Sequence, residues 1–133
     1  PEHPLLPKLA YCFSKEVDVD KMNYAAALLL SYEDFKAFSK VHADVKHHRC
    51  DVMYARWKPK GEVWVFTIRA NRFLRGMVRL ITGSLLEVGT GRLGIEDFEE
   101  RIKQKTRGNE RFSVPAHGLY LTQVTYPKDI FMD

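Results

Sequence analysis

Asn71-Arg72-Phe73-Leu74-Arg75-Gly76-Met77-Val78-Arg79-Leu80-Ile81-Thr82-Gly83-Ser84-Leu85-Leu86-Glu87-Val88-Gly89 is the most informative run of this 133-residue chain. At about 100° per residue, Leu74, Met77, Val78, Ile81, Leu85 and Val88 fall on one arc, so the run reads as an amphipathic helix with a core-facing stripe. Arg72, Arg75 and Arg79 fall on the opposite arc together with Gly76 and Gly83, and no acidic residue precedes Glu87. A solvated helix face ordinarily mixes charge signs at i,i+4 spacing. Three arginines separated by glycines suit close approach of an anion, because guanidinium offers planar paired donors and glycine adds no side chain. The plain alternative is a basic outer face on a core helix.

Working outward, Asp18 or Asp20 is placed to cap a helix carrying Met22, Ala25, Ala26 and Leu29 on one face. Arg49 to Trp57 and Glu62 to Ala70 read as paired strands, with Lys58-Pro59-Lys60-Gly61 as the turn. Trp64, Phe66, Ile68 and Ala70 alternate onto one face of the second strand. After the arginine helix come a glycine turn, a shorter helix near Ile95 to Gln104, a polar loop, and a last strand from Leu119 to Tyr126. Pro1 to Pro7 reads as an extended lead-in. This order argues an α+β fold, an antiparallel or mixed sheet with helices on one face, as a single domain spanning residues 1–133.

Composition narrows the classes. A hydrophobic fraction of 45% excludes a disordered tail, and the length suits one domain with a core of its own. The net charge of +4 and isoelectric point near 9.1 lean mildly towards polyanions. Cys12 and Cys50 are far apart with no C-x-x-C, which points away from a disulfide framework or zinc ribbon and towards a reduced, cytoplasmic protein. The longest apolar run, Ala25 to Leu30, is far shorter than a membrane span.

Three local motifs compete with the arginine helix. Gly89-Thr90-Gly91-Arg92-Leu93-Gly94 spells G-x-G-x-x-G, but the helix after it opens with Glu96, Asp97, Glu99 and Glu100, which would repel a pyrophosphate. These glycines read instead as a helix end and turn. His42, His47, His48 and Cys50 match no standard zinc spacing, so no metal site is expected. Lys103 to Arg111 is a basic loop that either follows an RNA backbone or is simply solvated. Among the aromatics, Trp64, Phe66 and Phe73 sit on patterned faces and read as core.

The string N-x-F-L-x-x-M-V-R-x-I-x-G-x-L-L-x-V-G resembles the signature helix of the TruA family of tRNA pseudouridine synthases. Tyr32-Glu33-Asp34-Phe35-Lys36-Ala37-Phe38 resembles that family's H-D-F-x-S-F segment. Pro115-Ala116-His117-Gly118-Leu119-Tyr120-Leu121, with Val124 and Tyr126-Pro127, resembles its closing A-P-A-x-G-L-x-L-x-x-V-x-Y-P strand. The three matches come in family order between about Asp18 and Pro127. Glu33 replaces the family's frequent His, Ser39 a common Arg, and Val114 a usual Ala. The R-x-D-x-G-V motif that holds the family's catalytic aspartate is absent, and the base-stacking tyrosine would also lie upstream. With Pro1-Glu2-His3-Pro4 at its start, the chain reads as the C-terminal half of a longer protein.

The resemblance implies a pseudouridine-synthase-type C-terminal subdomain, acting on uridines of the tRNA anticodon stem-loop (positions 38 to 40 in the family), as a homodimer, with no cofactor and no metal. Arg79, the R of M-V-R, would pair with the absent catalytic aspartate and keep it ionised. Arg72 and Arg75, expected one and two turns earlier on the same helix, would face phosphates of the bound stem. Phe35, Phe38 and Leu119 would contact substrate in the cleft. The isolated chain is then expected to be inactive. The alternative from another class is a non-catalytic module that binds structured RNA by shape and charge.

Overall fold

The computed structural model describes residues 6–12, 16–39, 47–104 and 121–124. Four strands form one sheet in the order β2-β3-β1-β4: β1 is Leu6–Cys12, β2 Val52–Lys60, β3 Val63–Ala70 and β4 Leu121–Val124. All three pairings are antiparallel. Helices α1 (Val19–Leu28), α2 (Met77–Gly89) and α3 (Ile95–Gln104) complete the fold. The α+β class with an antiparallel sheet is as the sequence argues.

β1 is the element that the sequence reading did not resolve. Only its first two residues, Leu6 and Pro7, fall in the expected extended lead-in, and the strand lies inside the sheet, running from Leu6 opposite Ala70 to Cys12 opposite Trp64. Pro7 weakens the pattern, since proline lacks the donor that a central strand needs. Here β4 pairs only with Leu9 to Cys12, so Pro7 lies beyond the stretch of β1 that β4 covers. The hairpin β2–β3 is tighter than expected. Lys60 pairs with Val63, leaving a two-residue turn of Gly61 and Glu62, with Gly61 at φ +63°. Pro59 therefore belongs to the strand and not to the turn, which is admissible because β2 is an edge strand.

One face of the hairpin meets the helices. Val52, Trp57, Phe66, Ile68 and Ala70 enter a single core with Met22, Ala25, Ala26 and Leu29 from α1 and its 3-10 extension. Met77, Val78, Ile81, Leu85, Leu86 and Val88 come from α2, and Phe98 and Ile102 from α3. Asp18 is the N-cap of α1, its carboxylate accepting the Lys21 amide at 3.1 Å. α1 also guards the sheet edge. Asn23 Oδ1 accepts the Trp57 backbone N–H at 2.7 Å while its Nδ2 donates to the Trp57 carbonyl at 3.2 Å. One side chain thus satisfies both main-chain groups of an edge-strand residue, as a neighbouring strand would.

α2 ends as a Schellman motif: Gly91, at φ +81°, donates to the Val88 carbonyl at 3.1 Å, and Arg92 donates to the Glu87 carbonyl at 2.8 Å. Gly89 has a different duty. A Cβ there would stand 2.3 Å from Met22 Sδ, so its bare Cα lets α1 and α2 touch. Its carbonyl also accepts the Asp18 amide at 2.9 Å. α3 is tied to α2 by Arg101, whose Nη1 donates to Ser84 Oγ at 2.8 Å and pairs with Glu87 at 3.3 Å.

Candidate functional site

α2 begins at Met77, not at Asn71. Asn71 extends the hairpin instead: its amide donates to the Asp51 carbonyl at 3.1 Å, and its Oδ1 accepts the Asp51 amide at 2.8 Å. Gly76 then turns the chain in the left-handed region, at φ +76°, and serves as the N-cap without a side-chain hydrogen bond. Leu74 still reaches the core from this loop, where its amide contacts Met77 Sδ at 3.5 Å. The apolar stripe is therefore correct over Met77–Val88, and the first six residues of the stretch are not helical.

This boundary separates the three arginines. Arg72 is a loop residue, and its Nη1 donates to the Arg49 carbonyl at 2.9 Å and the His47 carbonyl at 3.3 Å, lying 3.2 Å from His47 Nδ1. The expected placement of Arg72 and Arg75 one and two turns before Arg79 on the same helix is corrected, because α2 starts only at Met77. In this arrangement Arg72 holds residues 47–49 against the loop that leads into α2. Arg75 is exposed, just before the Gly76 turn.

Arg79 is the one exposed residue of α2. Ten of that helix's 13 residues are buried, Gly83 among them, so the arc expected to be an open basic face is largely enclosed. Arg79 forms no hydrogen bond or ion pair with other described residues. The first turn of α2 contains no acidic residue, and its cap supplies no carboxylate. Two cations beside the positive end of a helix dipole are unfavourable, by roughly 0.3–1 kcal/mol each at exposed positions. An anion arriving at the helix end offsets that cost.

Phe35 and Phe38 are not surface groups. Both are fully buried, and Phe38 packs on Phe98 with ring centroids 6.1 Å apart. In this structure both rings belong to the core. Phe35 N–H donates to the His48 carbonyl at 2.8 Å and Cys50 N–H to the Glu33 carbonyl at 2.9 Å, so the segment is laced to residues 48–50. The i,i+3 spacing of the two rings was the available signal, because Lys36–Phe38 is a 3-10 turn in which such residues share a face. Leu119 lies outside the described residues, as do His42 and the loop from Lys105 to Arg111, and of the expected closing strand the described part is Leu121–Val124.

Residues that sequence reading passed over hold the site's frame. Tyr32 donates to Glu99 Oε2 at 2.5 Å, joining the segment before Phe35 to α3, and this carboxylate raises the phenol's pKa. Cys50 is a buried free thiol 3.7 Å from Met77 Sδ, and burial pushes it up to about 11. Neither pattern is visible as periodicity. No group of three or more metal-ligating side chains occurs among the described residues, and no described helix is long and apolar enough to cross a membrane.

A family model described as tRNA pseudouridine synthase matches residues 25–127. The chain is similar to tRNA pseudouridine synthase A of Parabacteroides distasonis, at 48% identity over 96% of this chain and 51% of that protein. The Porphyromonas gingivalis protein of the same name is 47% identical over 97% of this chain and 52% of its own length. That of Chlorobaculum tepidum is 39% identical over 94% and 51%. The chain spans about half the length of these relatives. It belongs to the tRNA pseudouridine synthase family.

Proposed function

We propose that this chain is the C-terminal half of a tRNA pseudouridine synthase that isomerises uridine to pseudouridine in the anticodon stem-loop. The family match across residues 25–127 carries this reading. The reaction breaks the N-glycosidic bond of the target uridine, turns the base, and rejoins it to the ribose through C5. An ionised aspartate from the other half attacks the nucleotide after it leaves its stack. Arg79 is assigned to that carboxylate, holding it ionised and oriented with a paired guanidinium hydrogen bond. Its exposure at the start of an otherwise enclosed helix supports this assignment. Arg75, exposed just before the Gly76 turn, is assigned to phosphate. Arg72 is assigned to positioning, since its Nη1 is engaged by backbone carbonyls. Homodimeric assembly and a cytoplasmic location complete the proposal, on the strength of the family resemblance.

Tritium release from 5-[³H]uridine-labelled tRNA tests the reading, comparing this chain with the full-length protein. Release by the full-length protein alone is expected. Release by neither, with tRNA still bound, would replace the enzyme with an RNA-binding module. Release by this chain alone would remove the nucleophile from the other half.

A further inference from the structure

On the face of the β2–β3 hairpin turned away from the helices, the β2 side is cationic, while Val65 in the same row on β3 is buried. The register sets Tyr54 opposite Arg69, Arg56 opposite Thr67, Lys58 opposite Val65 and Lys60 opposite Val63. Their intervening neighbours Ala55, Trp57, Phe66 and Ile68 join the core or pack against it, so these four pairs point to the other side. The eight residues include four cations and no carboxylate. Arg56 and Lys58 are exposed and form no ion pair with other described residues. At one end of the row the Arg69 guanidinium lies 4.8 Å from the centre of the Tyr54 ring, a stacked layer of the kind that also accepts nucleobases.

We infer that this row is a track for RNA backbone. The inference rests on the tRNA reading above. Successive basic side chains on one face of β2 are about 6.7 Å apart, and Tyr54 to Lys60 spans roughly 20 Å. The Tyr54–Arg69 rung stands at the end of the hairpin from which the chain runs to Arg75 and Arg79. A row of that length suits several successive phosphates, as an extended polyanion requires and a single nucleotide does not. The competing role for lysines on an edge strand is to discourage strand pairing between molecules. β2 already carries Asn23 on Trp57, Pro59 and an irregularity between Val52 and Tyr54 for that purpose.

The test uses the full-length protein and unmodified tRNA, with affinity measured from 50 to 200 mM salt. Compared are the wild type, Arg56→Gln/Lys58→Gln, and Arg56→Glu/Lys58→Glu. Each phosphate contact contributes about 0.7–0.9 to the slope of log affinity against log salt. Loss of two lowers the slope by about 1.4–1.8, so over this range the wild type loses about 7- to 12-fold more affinity than the Gln variant. The Glu variant, which keeps a charged edge, is expected to bind more weakly still. Unchanged affinity and slope in both variants, with self-association of the Gln variant alone, would overturn the track and leave an edge guard. A wild type that neither binds nor modifies tRNA would instead overturn the functional reading beneath it.

Discussion

Substituting Gly89 by alanine adds one methyl group at the tightest contact between α1 and α2. The new Cβ falls 2.3 Å from Met22 Sδ and 2.7 Å from Met22 Cγ, with Val17 Cβ at 3.4 Å on the other side. Met22 is fully buried, so its thioether has to move within packed surroundings or the helices have to part. Overpacking of this kind costs about 1–3 kcal/mol. Separation of the helices would also lengthen the 2.9 Å hydrogen bond from Asp18 N–H to the Gly89 carbonyl. Alanine is the better helix former by up to about 1 kcal/mol, which offsets part of the cost. The net expectation is a loss of about 1–2 kcal/mol, read as a lower urea midpoint at constant slope. A double-mutant cycle with Met22→Ala isolates the cause. Met22→Ala alone costs about 2–5 kcal/mol, but in that background the clash is gone and Gly89→Ala becomes neutral or stabilising. Additive effects, or a Gly89→Ala protein as stable as the wild type, would refute the close-approach argument.

Other consequences follow from single contacts. Asn23→Ala leaves the Trp57 N–H and carbonyl without their partners and is expected to cost about 2 kcal/mol or more, with faster hydrogen exchange at the Trp57 amide; an unchanged exchange rate would mean the clamp is dispensable. The raised pKa of Cys50 keeps its thiol neutral in the fold after the unfolded thiol has ionised at about 9.0, so stability falls as pH rises from there to about 11. The fall should be steeper in the wild type than in Cys50→Ala, and parallel curves would contradict the assignment. In the full-length protein Arg75→Ala is expected to lower the salt slope of tRNA binding by about 0.7–0.9, and Arg72→Ala by less while speeding exchange at the Arg49 amide. Equal slope losses would show that Arg72 reaches phosphate after all.

Sequence legibility followed the physics of each element. The α2 stripe, the Asp18 cap, the Ile95 to Gln104 helix and the alternation of Phe66, Ile68 and Ala70 were readable because each is a local pattern with its own period. β1 was not, because Pro7 and Lys8 interrupt it and its partners lie more than 50 residues away at Trp64 to Ala70. The start of α2 was misplaced because an apolar residue packing from a loop, Leu74, falls in phase with the helix behind it. Gly76 and the pairing of Asn71 with Asp51 decide that boundary, and neither leaves a periodic trace. At the site, family resemblance selected Arg79, and the fold adds that this is where α2 meets solvent. Phe35 and Phe38 sit in an irregular segment that has no periodicity of its own, and the packing of Phe38 on Phe98 of α3 is a contact no local window contains. Arg72 shows the same limit, since its acceptors sit 23 and 25 residues upstream.

The measurement closest to the central claim compares turnover and tRNA affinity in the full-length protein carrying Arg79→Ala and Arg79→Lys. If Arg79 holds the catalytic carboxylate, Arg79→Ala abolishes tritium release with little loss of tRNA affinity, and Arg79→Lys, which keeps the charge but not the planar fork, recovers only part of it. Near-normal turnover in Arg79→Ala, or a loss of affinity that accounts for the whole loss of activity, would contradict the role assigned to this residue.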